Sequence, residues 1–288
     1  MQLIKPSFEI IEQDFSIENV YKHIEKCGRT CYKSLDKITI DSAKPFVDRM
    51  IKSKHYAMLE HGSIYLKIPY SFWHRITHPG LCSKYINNPY SCTVEILEGA
   101  DVVFHTKHII TPYLLVSTNL RVLVENGWEN DLKYLSYPSK AKRITVKFIC
   151  NRQVANEFVR HRVFSFAQES SRYCNYNSTK FNNELTFILP CWLYDSKDIT
   201  NTSYYKVFKT VETNYKKLIK EGNQPQQAAN ILPNGLKTEL IMTGFIEDWL
   251  HFFDLRALGT TGKPHPQAEE LAKSLREEFI KRGYIKKD

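Results

Sequence analysis

The sequence predicts an α+β fold, in which helices and strands occupy different stretches of the chain. Apolar residues recur at helical spacing towards both ends, and short apolar or alternating runs lie in the middle. The order of these segments is unlike the strand and helix alternation of a parallel βαβ sheet. With 288 residues, of which 42% are hydrophobic, the chain can bury one large core or two modest ones.

Helices are predicted to open the fold. Five residues after the N-cap candidate Ser16 recur at helical spacing: Ile17, Val20, Ile24, Cys27 and Cys31. A second helix is predicted after Asp41, with an apolar face formed by Phe46, Val47, Met50 and Ile51.

Strands are predicted for the middle of the chain, over residues 63–68, 144–150 and 185–189. Within residues 62–143, two more strand-like segments cover residues 94–97 and 102–105, and a helix is predicted to begin near Asn119.

Four helices are predicted for the second half. A short one, supported by i,i+4 apolar pairs over residues 154–159, delivers Arg160 into a loop. A long one over residues 203–221 has five residues on its predicted apolar face: Tyr204, Val207, Val211, Tyr215 and Leu218. The third carries Trp249 up to Arg256, and the last begins near Pro266 and ends before Gly283.

Residues 160–172 are the most informative run, reading Arg-His-Arg-Val-Phe-Ser-Phe-Ala-Gln-Glu-Ser-Ser-Arg. Its arginines, histidine and hydroxyls are hydrogen-bond donors suited to an anionic ligand. Neither GxGxxG nor GxxxxGK[ST] occurs in the chain, so side chains must hold any bound nucleotide. The alternative is that these arginines only complete a helix end.

The cysteine pattern predicts reduced thiols, since the chain has seven cysteines and no CxxC pair. A zinc site formed by His74, His78, Cys82 and Cys92 is a weaker alternative, because its spacing matches no common zinc pattern. We therefore expect no metal. The absence of a long apolar run and of a signal-like start predicts a cytoplasmic protein that does not bind a membrane.

The formal net charge of +9 raises the possibility of nucleic-acid binding. The charge is diffuse, however, and its lysine-rich stretches accompany glutamate-rich helical patterns that are typical of a solvated face. The sequence therefore favours small phosphorylated ligands, and a noncatalytic nucleic-acid-binding protein is kept as an alternative.

Several motifs together resemble the flavin-dependent thymidylate synthases. The run Arg160-His161-Arg162, followed by seven residues and Ser170, is similar to the signature of that family. Residues 55–61, His-Tyr-Ala-Met-Leu-Glu-His, resemble its upstream element. Further similar segments follow in the same order over residues 231–233, 252–256 and 265–267.

The resemblance implies a single domain over residues 1–288, with an antiparallel sheet flanked by helices and a family-variable insertion at about 62–143. It implies a homotetramer with shared active sites. It also implies FAD as cofactor, NADPH and 5,10-methylenetetrahydrofolate as co-substrates, and dUMP as the substrate that becomes dTMP. A related flavin-dependent dUMP hydroxymethylase is an alternative with nearly the same pocket.

The resemblance also implies roles for individual residues. Arg256 is the expected catalytic residue, since a fixed positive charge beside uracil stabilises negative charge on the ring. The expected dUMP-binding residues are Glu157, Arg160, Gln168, Glu169, Ser170, Ser171, Arg172 and Arg256. The expected FAD-binding residues are His55, Ala57, Arg160, His161, Arg162, Gln168, Phe245 and His251.

The chain departs from the family pattern at four positions. Ala229 stands where many members have an arginine on the dUMP phosphate. Phe245 and His251 stand where asparagines are common, and Ala57 where a threonine is common.

Overall fold

The computed structural model describes residues 1–69, 84–104, 107–138, 141–170, 174–178 and 181–287. The chain divides into two compact units. The first unit comprises Met1–Ile11, Gly28–Asp36 and Thr145–Asp288, and the second comprises Glu12–Cys27 and Lys37–Ile144. The predicted insertion at about 62–143 falls within the second unit, and the single-domain organisation stays a prediction.

The described elements confirm the predicted α+β class. The strands are β1 Gln2–Ile4, β2 Ser7–Ile11, β3 Ser63–Pro69, β4 Cys92–Phe104, β5 Lys107–Asn119, β6 Arg143–Asn151, β7 Ser165–Gln168, β8 Thr186–Ile188 and β9 Lys237–Phe245. The α-helices are α1 Ile17–Cys31, α2 Ala43–Lys52, α3 Leu120–Asn126, α4 Arg152–Phe158, α5 Ser203–Lys220, α6 Pro225–Ala228, α7 Ile246–Phe253 and α8 Pro266–Lys281. Short 3-10 helices cover Leu35–Lys37, Tyr56–His61, Glu129–Tyr134, Cys191–Leu193, Ile199–Asn201 and Ala229–Ile231, and one π-helical turn covers Asp254–Leu258.

The first unit contains a four-stranded sheet in the order β2-β6-β9-β7. β2 pairs with β6 and β7 pairs with β9, both antiparallel, as the predicted antiparallel sheet requires. A separate pair joins β1 to β8 in parallel. Strands therefore precede the first helix, and the prediction that helices open the fold is wrong. Pro6 separates β1 from β2, and the two apolar runs are too short to show a clear period of two.

One face of this sheet is covered by aromatic residues from three helices. Phe148 of β6 lies 5.0 Å from Phe158 of α4, measured between ring centroids. Trp249 of α7 is fully buried, and Phe253 lies 5.1 Å from Phe279 of α8. These edge-to-face contacts fix the ends of α4 and α7, where the candidate site residues lie.

A second core of the first unit forms around α5. Phe208 stacks on Phe187 of β8 with centroids 4.3 Å apart, and Tyr215 is buried. The predicted apolar face of this helix is partly wrong, since Tyr204 and Val207 are exposed. The buried stripe instead includes Glu212, which accepts a hydrogen bond from the Leu185 N–H group and pairs with Lys209 and Lys216. Because the buried stripe contains the charged residue Glu212, the pattern of apolar residues alone did not show where the stripe lies.

The second unit contains an antiparallel sheet in the order β3-β5-β4. The predicted segments 94–97 and 102–105 belong to the single strand β4, apart from residue 105, which lies outside the described residues; the register with β5 shifts between Gly99 and Val103. The predicted helix near Asn119 is confirmed, because the Asn119 side chain caps α3 by accepting a hydrogen bond from the Val122 N–H group at 3.2 Å.

Among the described residues, no helix has the length and apolar character needed to cross a bilayer. The cysteines described there are all free thiols.

We predict that Gly235→Ala destabilises the first unit. A methyl group there would lie 2.6 Å from the Phe208 ring, which is held in its stack on Phe187. Overpacking of this kind costs about 1–3 kcal/mol. Thermal unfolding should show a lower Tm for Gly235→Ala than for the wild type. In a Phe208→Leu background, where the smaller side chain leaves room for the methyl group, the same glycine substitution should lower Tm by less. Equal Tm values for the wild type and Gly235→Ala would contradict the packing described.

Candidate active site

The signature Arg160-His161-Arg162 follows the end of α4. The Asn151 side chain starts this helix by accepting a hydrogen bond from the Val154 N–H group at 2.8 Å. After the helix ends, the His161 N–H group donates to the Phe158 carbonyl at 3.1 Å. His161 is 7% exposed, whereas Arg160 and Arg162 are exposed. The turn therefore buries the imidazole and presents both guanidinium groups to the surface.

Arg256 contacts the buried side of this turn from the π-helical segment. Its Nε donates to His161 Nε2 at 3.1 Å, its Nη1 to Glu157 Oε2 at 2.9 Å, and its Nη2 to the Glu157 carbonyl at 3.2 Å. We call Glu157, His161 and Arg256 the arginine triad. The structure thus brings together three residues that were predicted for different roles: Glu157 and His161 are close in the chain, and Arg256 lies 95 residues after His161.

The side chains of the arginine triad are largely, but not completely, buried. The side chains of Arg256 and Glu157 are 19% and 15% exposed, so their ion pair is only partly screened. Burial, followed by the charges of Arg256 and His251, lowers the pKa of His161 to about 4. A neutral imidazole is also what the geometry requires, because Nε2 must carry a lone pair to accept from Arg256.

Arg256 retains donor capacity for a ligand. A guanidinium has five N–H groups, and the triad contacts use three of them. The two other donors have no hydrogen-bond partner among the described residues. The guanidinium that carries these two donors is already held in place by the triad contacts. It could therefore stabilise negative charge on a bound ring without first changing its own position.

The second half of the signature run lies on β7 and the residues after it. Gln168 makes one long contact, from Nε2 to Thr238 Oγ1 at 3.5 Å. The Glu169 N–H group donates to the Glu239 carbonyl at 2.8 Å, and the Ser170 N–H group donates to the Cys31 carbonyl at 3.0 Å. Ser171 and Arg172 were also predicted to bind dUMP, but they lie outside the described residues.

Glu169 belongs to a buried group of charges that sequence reasoning missed. We call it the lysine–glutamate cluster, and its members are Lys33, Lys147, Glu169, Lys237 and Glu239. Lys237 Nζ lies 2.7 Å from Glu169 Oε2 and 2.8 Å from Glu239 Oε1. The only signal in the sequence is the pattern Lys-Thr-Glu at residues 237–239, at the start of β9.

The lysines and glutamates of this cluster attract one another, and this attraction favours their ionised forms. Although burial opposes ionisation, Lys237 and Lys33 lower the pKa of Glu239 to about 2. Burial lowers the pKa of Lys33, against the attraction of Glu169 and Glu239. The Tyr176 hydroxyl also contacts Glu169 Oε1, at 3.4 Å. The carboxylate of Glu239 therefore stays ionised at neutral pH.

The other predicted FAD residues lie in different places. Phe245 precedes α7, and its N–H group donates to Asp248 Oδ2 at 2.9 Å. His251 is an exposed residue of α7 whose ring centroid lies 6.3 Å from that of His161, beside the arginine triad. In the second unit, His55 and Ala57 are exposed residues at the start of the 3-10 helix Tyr56–His61.

The described residues contain no group of three or more side chains suited to a metal ion. Of the zinc ligands considered as an alternative, Cys92 begins β4, while His74, His78 and Cys82 lie outside the described residues.

Two of the cavities formed by the described residues lie in the first unit. One, of about 430 Å³, has mainly apolar walls that include Trp192, Tyr204 and Phe208, and contains none of the predicted site residues. The other, of about 250 Å³, is lined by Lys33, Glu169 and Lys237 of the lysine–glutamate cluster, among others.

Comparison with known proteins gives a family for the part of the chain that carries the arginine triad. A family model described as thymidylate synthase complementing protein matches residues 136–282. A flavin-dependent thymidylate synthase from Pyrococcus furiosus is 31% identical over 137 residues, which are 48% of this chain and 54% of that protein. A probable flavin-dependent thymidylate synthase from Paramecium bursaria Chlorella virus 1 is 28% identical over 146 residues, 48% of this chain and 66% of the viral protein.

The chain spans about half the length of the first of these relatives. Among solved structures, the UMP/dUMP methylase PolB from Streptomyces cacaoi is 14% identical with a TM-score of 0.44, and the match covers 98% of this chain and 93% of PolB. That likeness is too weak to assign a fold or a ligand.

We predict that His161 makes folding sensitive to acid. Its pKa lies near 4 in the folded protein and near its ordinary value of 6.5 in the unfolded chain. The unfolded chain therefore binds the proton first, and the stability contributed by neutral His161 is lost as the pH falls from about 6.5 to about 4. The loss should be on the order of 2 kcal/mol.

Urea unfolding across this pH range would measure the effect. His161→Gln, whose amide oxygen can still accept from Arg256, should flatten the dependence, while the exposed-site control His55→Asn should keep it. His23, which is buried and has a pKa of about 4, will leave a residual slope in every variant. A slope for His161→Gln as steep as that of the wild type would show that His161 is not the group responsible.

Proposed function

Because the chain belongs to the thymidylate synthase complementing protein family, whose model covers about half of it, we propose that it is a flavin-dependent thymidylate synthase. The observation that carries the proposal is the arginine triad, which lies entirely within residues 136–282. The reaction is the reductive methylation of dUMP to dTMP. We further propose that the enzyme acts in the cytoplasm as a homotetramer with shared active sites.

The overall reaction balances with three substrates. 5,10-Methylenetetrahydrofolate donates a one-carbon unit to C5 of uracil and leaves as tetrahydrofolate. That carbon must gain two electrons to become a methyl group, and NADPH supplies them. When bound, FAD supplies the chemistry that carries this hydride.

The residues of the signature turn fit a flavin dinucleotide. Arg160 and Arg162 are exposed cations, and neither has a carboxylate partner among the described residues. Two such guanidinium groups can each donate hydrogen bonds to the phosphate oxygens of the FAD pyrophosphate. We propose His161, Gln168, Phe245 and His251 as further FAD contacts of the first unit. His55 and Ala57, in the second unit, are proposed as FAD contacts because the family resemblance implies them.

Arg256 is the proposed catalytic residue. Glu157 and His161 fix the direction of its guanidinium, and its two remaining N–H donors can face the uracil ring. A fixed cation there stabilises negative charge on the pyrimidine when C5 attacks the one-carbon unit. His161 stays neutral at physiological pH, so it adds no competing positive charge.

The remaining proposed dUMP contacts come from Glu157 and Arg160 and from Gln168 to Arg172. Ser170 is assigned to binding and not to nucleophilic attack, because a serine hydroxyl needs a positioned base. No such base contacts Ser170 among the described residues.

We predict that the purified protein is yellow and oxidises NADPH faster when dUMP is added. The visible spectrum should show flavin absorbance, and chromatography of the nucleotide product should show dTMP. Formation of 5-hydroxymethyl-dUMP would instead identify the hydroxymethylase. A colourless protein that takes up no FAD and leaves NADPH unchanged with dUMP would refute the assignment.

We predict that Arg256→Ala lowers dTMP formation by about a hundredfold or more while most of the bound flavin remains. The reason is that the fixed charge beside the uracil ring is lost. Single-turnover assays and flavin absorbance on the same sample measure the two effects separately.

Arg282→Ala is the matched control for Arg256→Ala. Arg282 also pairs with a glutamate, Glu278, but at an exposed position at the end of α8. Turnover by Arg256→Ala equal to that of the control would show that the catalytic charge lies elsewhere.

A further inference from the structure

The apolar cavity of about 430 Å³ in the first unit has no part in the proposed reaction, since none of the residues proposed to bind dUMP or FAD lines it. Its volume falls within the range of about 300–1,000 Å³ that is usual for small-molecule sites in proteins. Its lining residues come from the start of α4, from α5, and from the segments that precede β9 and α8, among others. The cavity is therefore a candidate for a second binding site on the first unit.

Aromatic rings line this cavity. The ring centroid of Trp192 lies 6.1 Å from that of Tyr204 and 6.1 Å from that of His265. The Tyr204 ring in turn lies 6.3 Å from the ring of Phe208, which is buried. The planes of these neighbouring rings are inclined to one another by 60° to 69°. Rings at such angles offer both faces and edges, which are the two surfaces that aromatic partners contact.

Three apolar side chains that line the cavity are also exposed. Trp192 is 48% exposed, Tyr204 44% and Val207 54%. Tyr204 and Val207 belong to the apolar face that the sequence predicted for α5, but the buried stripe of that helix includes Phe208 and Tyr215 instead. A single exposed apolar side chain is ordinary on a protein surface, whereas several around one concave cavity are typical of a ligand-binding site.

The absence of charge distinguishes this cavity from the rest of the first unit. Among the described residues that line it, none is a lysine, arginine, aspartate or glutamate. A phosphate or carboxylate placed there would lose its hydration without gaining a cationic partner, which costs free energy. The four ligands of the proposed reaction all carry such groups. The cavity therefore suits a different molecule that has no charge.

Several polar side chains of the lining already have partners. Asn151 Nδ2 donates to Gln267 Oε1 at 2.7 Å, and Asn234 Nδ2 donates to Gln153 Oε1 at 3.0 Å. In contrast, the Trp192 Nε1–H group and Asn234 Oδ1 have no hydrogen-bond partner among the described residues. A ligand can therefore form few hydrogen bonds with these side chains, and most of its surface must be apolar.

We propose that this cavity binds a neutral, planar aromatic heterocycle. The rings of Trp192 and Tyr204 pack against it, Val207 adds an apolar contact, and Asn234 Oδ1 accepts a hydrogen bond from a ring N–H group. The proposal does not depend on the proposed function, because no residue of the arginine triad lines the cavity.

Calorimetric titration of the full-length protein with indole tests the site, with indole-3-carboxylate as the charged counterpart. Indole should show saturable binding, and the carboxylate should bind about tenfold more weakly or worse. Tyr204→Ala removes a ring and Val207→Asp places a charge among the apolar side chains, so each should weaken indole binding by about tenfold. Both positions are exposed, so the variants should fold.

Ile86→Asp is the matched control for Val207→Asp. Ile86 is 52% exposed, but it lies in the second unit and does not line the cavity. Its substitution should change indole affinity by less than about twofold.

The proposal would be overturned by a lack of saturable indole binding, by equal affinity for indole-3-carboxylate, or by unchanged affinity in Tyr204→Ala and Val207→Asp. An equal loss in Ile86→Asp would contradict it as well. Light scattering on the same samples tests whether a second copy of the chain covers these side chains instead. A lower molar mass for Val207→Asp, but not for Ile86→Asp, would identify an interface between copies and would also contradict the proposed ligand site.

Discussion

The fixed guanidinium of Arg256 is the interaction on which the candidate site depends. Its three hydrogen bonds join the π-helical turn to the end of α4 and to the histidine of the signature turn. The aromatic core beneath, in which Phe158 lies 4.9 Å from Phe252, holds the two helices that carry these groups. An arginine alone would sample many rotamers. Here a carboxylate, a carbonyl and a neutral imidazole leave it one direction, so the charge is positioned before any ligand arrives.

The four-stranded sheet of the first unit separates two environments. Lys147 and Phe148 are neighbours in β6, so their side chains point to opposite faces. Phe148 joins the aromatic core beneath the arginine triad, whereas Lys147 joins the lysine–glutamate cluster. One face therefore packs against aromatic rings, and the other carries paired charges. A single sheet can in this way support a fixed cation on one side and a polar cavity on the other.

The sequence was enough to predict most helices, and it singled out Glu157, His161 and Arg256 as candidates, but it did not predict their contacts with one another. Helices α4 and α5 have N-cap residues, and α8 has a first-turn proline and a periodic apolar face, all of which can be read locally. Strands β7 and β9 were missed, because β7 lies inside the signature run and β9 begins with Lys237 and Glu239, which break the apolar pattern. Buried charges are paired by partners from distant segments, as Lys33 and Glu239 show, and no local pattern records such a pairing.

The first unit is built from three separate stretches of the chain, which affects the order in which it can fold during synthesis. β1 and β2 are synthesised before their partners β8 and β6, which lie far later in the chain. Residues Lys37–Ile144 of the second unit are complete before those partners exist. The first strands must therefore wait with unpaired edges while the second unit is synthesised, which makes this stretch of synthesis the time at which a chaperone or a slow codon would matter most.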